Sequence, residues 1–287
     1  MAARPGGRIV LVGTPIGNLG DLSPRAAAVL AEADLICCED TRRTRQLLTA
    51  CGVAAGGRLV AMHAHNERQA AQRAVDAAAA GQVVAVVTDA GMPGVSDPGE
   101  AVVQAAVGRG VEVDVVPGPA AAVTALVASG LPTARWAFEG FLPRSGADRA
   151  RRLGALAVDD RTTVLYEAPH RVARTLADLA AACGAERPVA AARELTKLHQ
   201  QLWRGTLGAA VAWVAAEAPR GEWVLVVGPA PPPPPAGPDE VVAALEQAAA
   251  AGVDRRAAVA TVAAALGAPR REVYTASLAL TWRRPGP

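Results

Sequence analysis

Short apolar runs rich in Val and Ile alternate with alanine-rich stretches of helical length through the first half of this chain. That alternation is its strongest constraint. The apolar runs lie at 8–12, 35–38, 59–62, 83–88 and 112–116, with helix-like segments at 24–33, 43–50, 67–80, 99–109 and 119–129. Ser23 followed by Pro24 reads as an N-cap with proline in the first helical position, where its missing N–H costs nothing. A strand apolar at nearly every position must be covered on both faces. The pattern therefore predicts an α/β fold, a parallel sheet with helices on either side.

A second set of strands is expected at 136–138, 162–166, 189–193 and 223–227, with helices at 147–157, 170–183 and 206–217. The expected organisation is an N-terminal α/β domain over 1–132, joined through Gly130-Leu131-Pro132-Thr133 to a second α/β domain over 133–229. A proline-rich spacer at 230–237 follows, too poor in N–H donors for helix or central strand. Helical periodicity returns over 238–287, where Gly267-Ala268-Pro269 separates 255–266 from 270–282. Two helices joined by a short glycine turn fit a helix-turn-helix, and equally a small helical cap.

Composition narrows the classes. The chain has 287 residues, half of them apolar (51%), which is ample for a core, but no apolar stretch long enough to span a bilayer. Met1 to Arg8 lead straight into the first strand without a basic-then-apolar leader, so a cytoplasmic protein that does not engage a membrane is expected. A net charge of +2 forces no nucleic-acid partner by bulk charge. Cys37, Cys38, Cys51 and Cys183 have neither disulfide-scaffold density nor metal-ligand spacing, and no metal is expected. Lys197 is the single lysine among 29 basic residues, which hints that an ammonium able to lose its proton is wanted there.

Glycine and proline crowd four strand ends: Gly13-Thr14-Pro15-Ile16-Gly17-Asn18, the segment from Asp89 to Gly99, Pro117-Gly118-Pro119-Ala120, and Tyr166-Glu167-Ala168-Pro169-His170-Arg171. In open parallel sheets the ligand crevice lies outside the carboxyl ends of the strands, so these loops are the expected rim. They are poor phosphate cradles. No dinucleotide or P-loop glycine pattern is present, and Pro15, Pro93, Pro98, Pro117 and Pro119 each delete an amide donor. Carbonyl oxygens and apolar walls suit an adenosine bearing a positive centre better than a pyrophosphate. S-adenosylmethionine meets that description, and a nicotinamide oxidoreductase is disfavoured.

Eight segments occur in order: VGTPIGNLGDLSPRA, CEDTRRTRQLL, HAHNE, TDAGMPGVSDPG, VPGPAAAVTAL, FEGFLPR, YEAPHRV and ARELTK. On these residues the chain resembles the tetrapyrrole-methylase superfamily from about residue 8 to 228, and within it the branch acting on small-subunit ribosomal RNA. Its last helices resemble that branch's helix-turn-helix extension. The resemblance implies a parallel-sheet N-terminal domain, a mixed-sheet second domain and a cofactor cleft between them. It implies S-adenosylmethionine as cofactor, a homodimer, and 16S rRNA of the small ribosomal subunit as partner. The implied reaction is 2′-O-methylation of a cytidine (1402) in the decoding region. Implied cofactor contacts are Pro15, Ile16, Asp89, Gly91, Met92, Pro93, Val95, Pro117, Gly118, Ala120, Ala121, Tyr166 and Ala192. Met92 stands where the family commonly has Thr, Ala120 where it has Ser or Cys, and His199-Gln200 where acidic residues follow the lysine.

Such a reaction needs positioning and an acceptor for the hydroxyl proton. Candidates are Glu39, Asp40, Glu67, Asp89, Glu194 and Lys197, with Glu39, Asp40 and Lys197 foremost as catalytic residues. Lys197, if buried near Arg193, would lose its proton at neutral pH; the plainer reading pairs it with Glu194. For RNA, the candidates are Arg42, Arg43, Arg45, His65, Asn66, Arg144, His170 and Arg171, with further arginine groups at Arg149, Arg151, Arg152 and at Arg255, Arg256, Arg270, Arg271. Arg171 is alternatively an organiser of Glu167. Two rival functions are a tetrapyrrole C-methyltransferase, which would share the cleft, and a nucleic-acid-binding regulator built on the C-terminal helices.

Overall fold

The computed structural model describes residues 6–216, 219–232 and 236–282. Strands β1 (Arg8–Val12), β2 (Leu35–Cys38), β3 (Leu59–Ala61), β4 (Val83–Val86) and β5 (Glu112–Val116) form one sheet in the order β3-β2-β4-β1-β5. Every pairing in it is parallel. The crossovers are helices α1 (Pro24–Glu32), α2 (Thr41–Ala50), α3 (Glu67–Ala79) and α4 (Glu100–Gly108). Side chains alternate across the sheet. Ile9, Cys37, Val84 and Val86 therefore pack in the α3/α4 layer, while Val10, Val12, Ile36, Cys38 and Ala85 pack on the opposite face with Ala26, Leu30 and Leu48. Ser23 accepts the Ala26 N–H at 3.1 Å, as the Ser-Pro pair requires.

Helix α5 (Ala121–Ser129) leaves the first sheet and covers the second. That sheet has the order β6-β7-β10-β8-β9, built from β6 (Trp136–Phe141), β7 (Thr162–Glu167), β8 (Pro188–Arg193), β9 (Gln201–Thr206) and β10 (Trp223–Val227). Only β6 and β7 pair parallel; the other three pairings are antiparallel. Ala122, Ala125 and Leu126 of α5 sit with Val164, Ala190, Ala192, Val224 and Val226 in one buried cluster. The opposite face is closed by α6 (Gly146–Val158), α7 (Val172–Cys183) and α8 (Leu207–Ala216). Arg204 of β9 donates to the carbonyls of Ala128 and Ser129 at 2.6 and 3.1 Å, satisfying orphan groups at the C-terminus of α5. Because α5 belongs to one sheet by sequence and to the other by packing, both sheets form a single compact unit ending at Ala230.

The strand at β9 was not expected. Its sequence, QLWRGT, is an edge strand with no clean alternation, so only pairing with β8 reveals it. The expected strands at 136–138 and 162–166 are each longer, reaching Phe141 and Glu167.

The second unit starts after Ala230 and contains α9 (Pro238–Ala250), α10 (Arg255–Leu266) and α11 (Arg270–Ser277). Val241, Leu245, Val259, Val262 and Val273 make its core. Asp254 caps α10 by accepting the N–H groups of Arg256 and Ala257, and Gly267 ends that helix with φ 59°. The last helix stops at Ser277, short of the expected 282. Of the expected proline spacer, residues 233–235 lie outside the described residues. Among the described residues no helix is long and apolar enough to cross a membrane.

Candidate functional site

The glycine-proline loops meet as backbone on backbone. A Cβ on Gly13 would lie 2.6 Å from the Gly118 Cα, and one on Gly118 would lie 2.8 Å from the Gly13 Cα. Thr14 and Gly91 exchange two backbone hydrogen bonds, at 2.9 and 3.2 Å, and the Thr14 hydroxyl donates to the Thr88 carbonyl at 3.2 Å. Neither glycine can acquire a side chain without separating these loops. Gly118→Ala is expected to cost about 1–3 kcal/mol by overpacking, measured by urea unfolding.

Between these loops and the second sheet lies a cavity of about 390 Å³. Ile16, Gly91, Met92, Val95, Ala120, Ala121 and Tyr166 line it, with Leu195 and Val224 from the second sheet's side. The Tyr166 hydroxyl accepts the Ala122 N–H at 3.2 Å, while Phe138 and Phe141 meet its ring edge-on at 4.9 and 5.7 Å. Burial pushes the phenol up. Of the expected cofactor contacts, Asp89 also lines this cavity. Pro15 lines an adjoining cavity of about 300 Å³ that shares Ile16, Arg43, Asp89, Ala90 and Glu222. Pro93, Pro117, Gly118 and Ala192 line neither: Gly118 packs on Gly13, and Ala192 is buried among α5 and β10 side chains.

Five carboxylates line the same space: Glu39, Asp89, Asp97, Glu222 and the buried Glu167. Burial, then the charges of Glu39, Asp89 and Glu222, push the Asp97 carboxyl up to about 6. Glu39 is raised too, by burial first and then by Asp89. Asp89 accepts the Asp40 N–H at 3.0 Å and pairs with Arg43 at 3.4 Å. Strain surrounds the site. The three described non-glycine residues with positive φ are Ser96 (64°), Glu194 (51°) and Thr196 (65°). Ser96 lines the cavity beside Asp97, and the other two flank the cavity residue Leu195. Backbone in this region costs of order 1–3 kcal/mol per residue and collects at functional sites.

Several sequence expectations change here. Asp40 is not a free base: it accepts from the Arg42 N–H at 2.8 Å and twice from its guanidinium, which holds the carboxyl far below the usual range. Glu67 accepts the Gly99 and Ala101 N–H groups at 2.9 and 3.3 Å and so caps α4. Lys197 does not lose its proton. Burial works against the charge, but Glu222 and Glu194, each 2.9 Å from Nζ, outweigh it and raise the ammonium above its ordinary value. Labelling of Lys197 by an amine reagent, read by peptide mapping so that the α-amino group does not contribute, is expected to have its midpoint above that of an ordinary lysine. A midpoint near neutral would restore the free amine.

Among the expected RNA contacts, Arg43 lines both cavities, Arg42 is held by Asp40, and Arg45, His65, Arg144 and His170 are exposed outside them. Asn66 instead folds its own turn, accepting the His63 N–H at 2.8 Å and donating to the Ala61 carbonyl at 3.0 Å. Arg171 donates to buried Glu167 at 3.1 Å and to the Leu142 carbonyl at 2.6 Å, so it organises Glu167 and does not reach for phosphate. Arg149 is likewise buried, on Asp178, Thr175 and Pro143. Sequence reasoning missed Ser96, Asp97 and Glu222. Asp97 sat in plain view within the SDPG segment, but its burial opposite Glu39 is a tertiary fact. Among the described residues no group of three His, Cys, Asp or Glu could hold a metal ion.

Comparison with known proteins gives consistent results. The family of tetrapyrrole (corrin/porphyrin) methylases matches residues 8–211. A protein of Synechocystis sp. called ribosomal RNA small subunit methyltransferase I is 46% identical over 221 residues, covering 77% of this chain and 78% of its own. Its namesake in Mycobacterium tuberculosis is 45% identical over 225 residues, covering 78% and 79%. Among solved structures, a uroporphyrin-III-C-methyltransferase from Thermus thermophilus aligns with a TM-score of 0.53 at 25% identity, over 77% of this chain and 94% of that one. A further structure of the Thermus thermophilus enzyme, complexed with S-adenyl homocysteine, gives a TM-score of 0.53 at 24% identity, covering 77% and 97%.

Proposed function

The chain belongs to the tetrapyrrole methylases and, within them, to the ribosomal RNA small subunit methyltransferase I family, and from that premise we propose that it methylates small-subunit ribosomal RNA with S-adenosylmethionine as donor. The finer reading is transfer to the 2′-hydroxyl of a cytidine in the decoding region of 16S rRNA, at position 1402, by a homodimer acting in the cytoplasm. One observation carries the donor assignment: an apolar-walled cavity of about 390 Å³ that also collects five carboxylates.

The residues fit that donor. Ile16, Met92, Val95, Ala120 and Ala121 offer apolar contact for an adenosine, and the volume lies in the range of small-molecule sites. Gly91, at φ 89°, keeps the wall thin where a Cβ would come 3.4 Å from Ile16. A cluster of Glu39, Asp89, Asp97 and Glu222 that raises the Asp97 carboxyl holds a surplus of negative charge, which a sulfonium relieves. When bound, S-adenosylmethionine supplies an electrophilic methyl carbon on positively charged sulfur.

The chain's own part is to hold a ribose hydroxyl and accept its proton. Asp97 and Glu39 are the acceptors this geometry favours, because both carboxylates face the cavity, whereas Asp40 is engaged by Arg42 and Lys197 by two carboxylates. Lys197 acts as a positioning residue that fixes Glu222 and Glu194. Phe141 and Tyr166 close the wall and limit water. Arg43, salt-bridged to Asp89 at the junction of both cavities, is the arginine placed to meet a phosphate.

The test is to incubate the protein with small ribosomal subunits and methyl-labelled donor, then hydrolyse the RNA in alkali. A 2′-O-methyl group blocks cleavage at its own nucleotide, so one protected phosphodiester at the expected cytidine is the predicted product. Label on bases, or an absorbance shift on titrating a porphyrinogen, would replace this reading with the tetrapyrrole one.

A further inference from the structure

The C-terminal unit has a cavity of its own, about 510 Å³, walled by Arg255, Arg256, Val259, Arg270, Arg271 and Tyr274. Four of these six residues are arginines, and they occupy the first two positions of α10 and of α11. Both helices thus open onto the same space with guanidiniums and with the positive ends of their dipoles. Among the described residues no carboxylate lines it. Asp254, the nearest acid in sequence to Arg255, is engaged in capping α10 through the N–H groups of Arg256 and Ala257.

Arginines elsewhere in the chain show why this cluster is not a structural one. Arg149 and Arg171 show how this chain uses an arginine for stability: the side chain is buried on carboxylates and carbonyls. By contrast Arg255, Arg256, Arg270 and Arg271 are all exposed, and none forms an ion pair among the described residues. Gathering four unpaired like charges around one hollow costs the fold free energy through repulsion. An anion carrying several charges would relieve that repulsion. Arg255 lies 5.6 Å from the Tyr274 ring centroid, and Tyr274 is 47% exposed, so an aromatic face stands beside the charges.

We infer that this cavity is a binding site for the phosphodiester backbone of single-stranded or looped RNA, with the guanidiniums on successive phosphates and Tyr274 under a base. Planar guanidiniums bind phosphate oxygens in a bidentate fashion, and a tyrosine beside them offers the stacking that unpaired nucleotides accept. An acidic peptide would satisfy the charge but leave the aromatic face without a planar partner. That the anion is ribosomal RNA rests on the function proposed above; that it is a polyanion rests on the cavity alone.

The experiment uses the full chain and 16S rRNA in filter binding without methyl donor, across about 50 to 200 mM salt. Each single-stranded phosphate contact contributes a slope of about −0.7 in log K against log salt. Arg270→Ala with Arg271→Ala is therefore expected to flatten the slope by about 1.4, and the fourfold alanine variant by about 3, with affinity falling at least tenfold at the lower salt. A fourfold lysine variant keeps the slope because it keeps the charge, and Tyr274→Ala weakens binding without changing the slope. S-adenosylmethionine affinity by calorimetry stays within twofold in every variant.

An unchanged slope in the alanine variants overturns the proposal. So does displacement of RNA by inorganic phosphate or by polyglutamate as readily as by competing RNA at matched ionic strength. Should the fourfold variant lose its helical circular dichroism, Arg271→Ala alone still reports a slope change of about 0.7. Because these measurements use no donor, the RNA site stands or falls separately from the methylation reading. A chain that binds RNA through this cavity and transfers no methyl group refutes only the latter.

Discussion

Asp97→Asn is expected to lower methyl transfer by about 10²- to 10⁴-fold while making the folded chain more stable at pH 8. Both effects have one cause. Burial and the charges of Glu39, Asp89 and Glu222 raise this carboxyl from 3.8 to about 6 in the folded chain. Below the unfolded value Asp97 is protonated in both states, and the stability associated with its retained proton is fully present. That contribution is lost as pH rises through about 6. A rise of that size corresponds to at most about 3 kcal/mol, and partial solvent contact reduces this to about 1–2 kcal/mol. The Asn variant should therefore melt higher than the parent at pH 8 and at the same temperature below pH 4. In the parent, kcat/KM should climb through about pH 6 and then level, a limb the variant lacks. Because Glu39 interacts with Asp97, the apparent values belong to the pair. A variant that retains activity, or that melts lower at pH 8, would remove Asp97 from the proposed role.

The largest loss of stability is expected in the buried ionic network of the second sheet. Glu167 accepts from the Thr175 hydroxyl at 2.6 Å, from Arg171 at 3.1 Å and from the Ala168 N–H at 2.9 Å. Arg149 extends the network by donating to Thr175 at 3.0 Å and to Asp178 at 2.8 Å. The Glu167 side chain is fully buried and that of Arg171 is 20% exposed. Removing one partner leaves the other as a buried, uncompensated charge. Glu167→Ala is expected to cost about 3–5 kcal/mol in urea unfolding. Arg171→Ala should be costly in the same assay and should change RNA affinity less than twofold where the chain remains folded. A variant with undiminished stability and weakened RNA binding would return Arg171 to the phosphate role that its position after Pro169 suggested. Glu167 also lines the cavity proposed for the donor, so its loss should loosen the wall formed by Ala168 and Pro169.

The two sheets were legible because each strand is apolar enough to need cover on both faces, as Ile9 and Val10 illustrate from opposite sides of β1. The edge strand β9 was not, since half its positions face solvent and its apolar side chains do not alternate with polar ones. At the site, the glycine-proline loops were visible as loops. What they do to one another was not: the approach of Gly13 to Gly118 and the pairing of Thr14 with Gly91 join segments about a hundred and about seventy-five residues apart.

Carboxylates and cations were the hardest to read. Asp40, Glu67, Asp97 and Glu167 are equally acidic as letters, yet one caps α2, one caps α4, one is lifted in a cavity and one is locked by an arginine. Lys197 was conspicuous as the single lysine, but its protonation depends on Glu222, a residue twenty-five positions away. Strand and helix identity follows from local spacing of apolar side chains, which a sequence displays directly, and so the α/β architecture and the family motifs were its own to declare. The protonation, burial and partners of each charged group depend on distances between segments remote along the chain. Those the tertiary structure alone decided, because electrostatic energy follows separation in space.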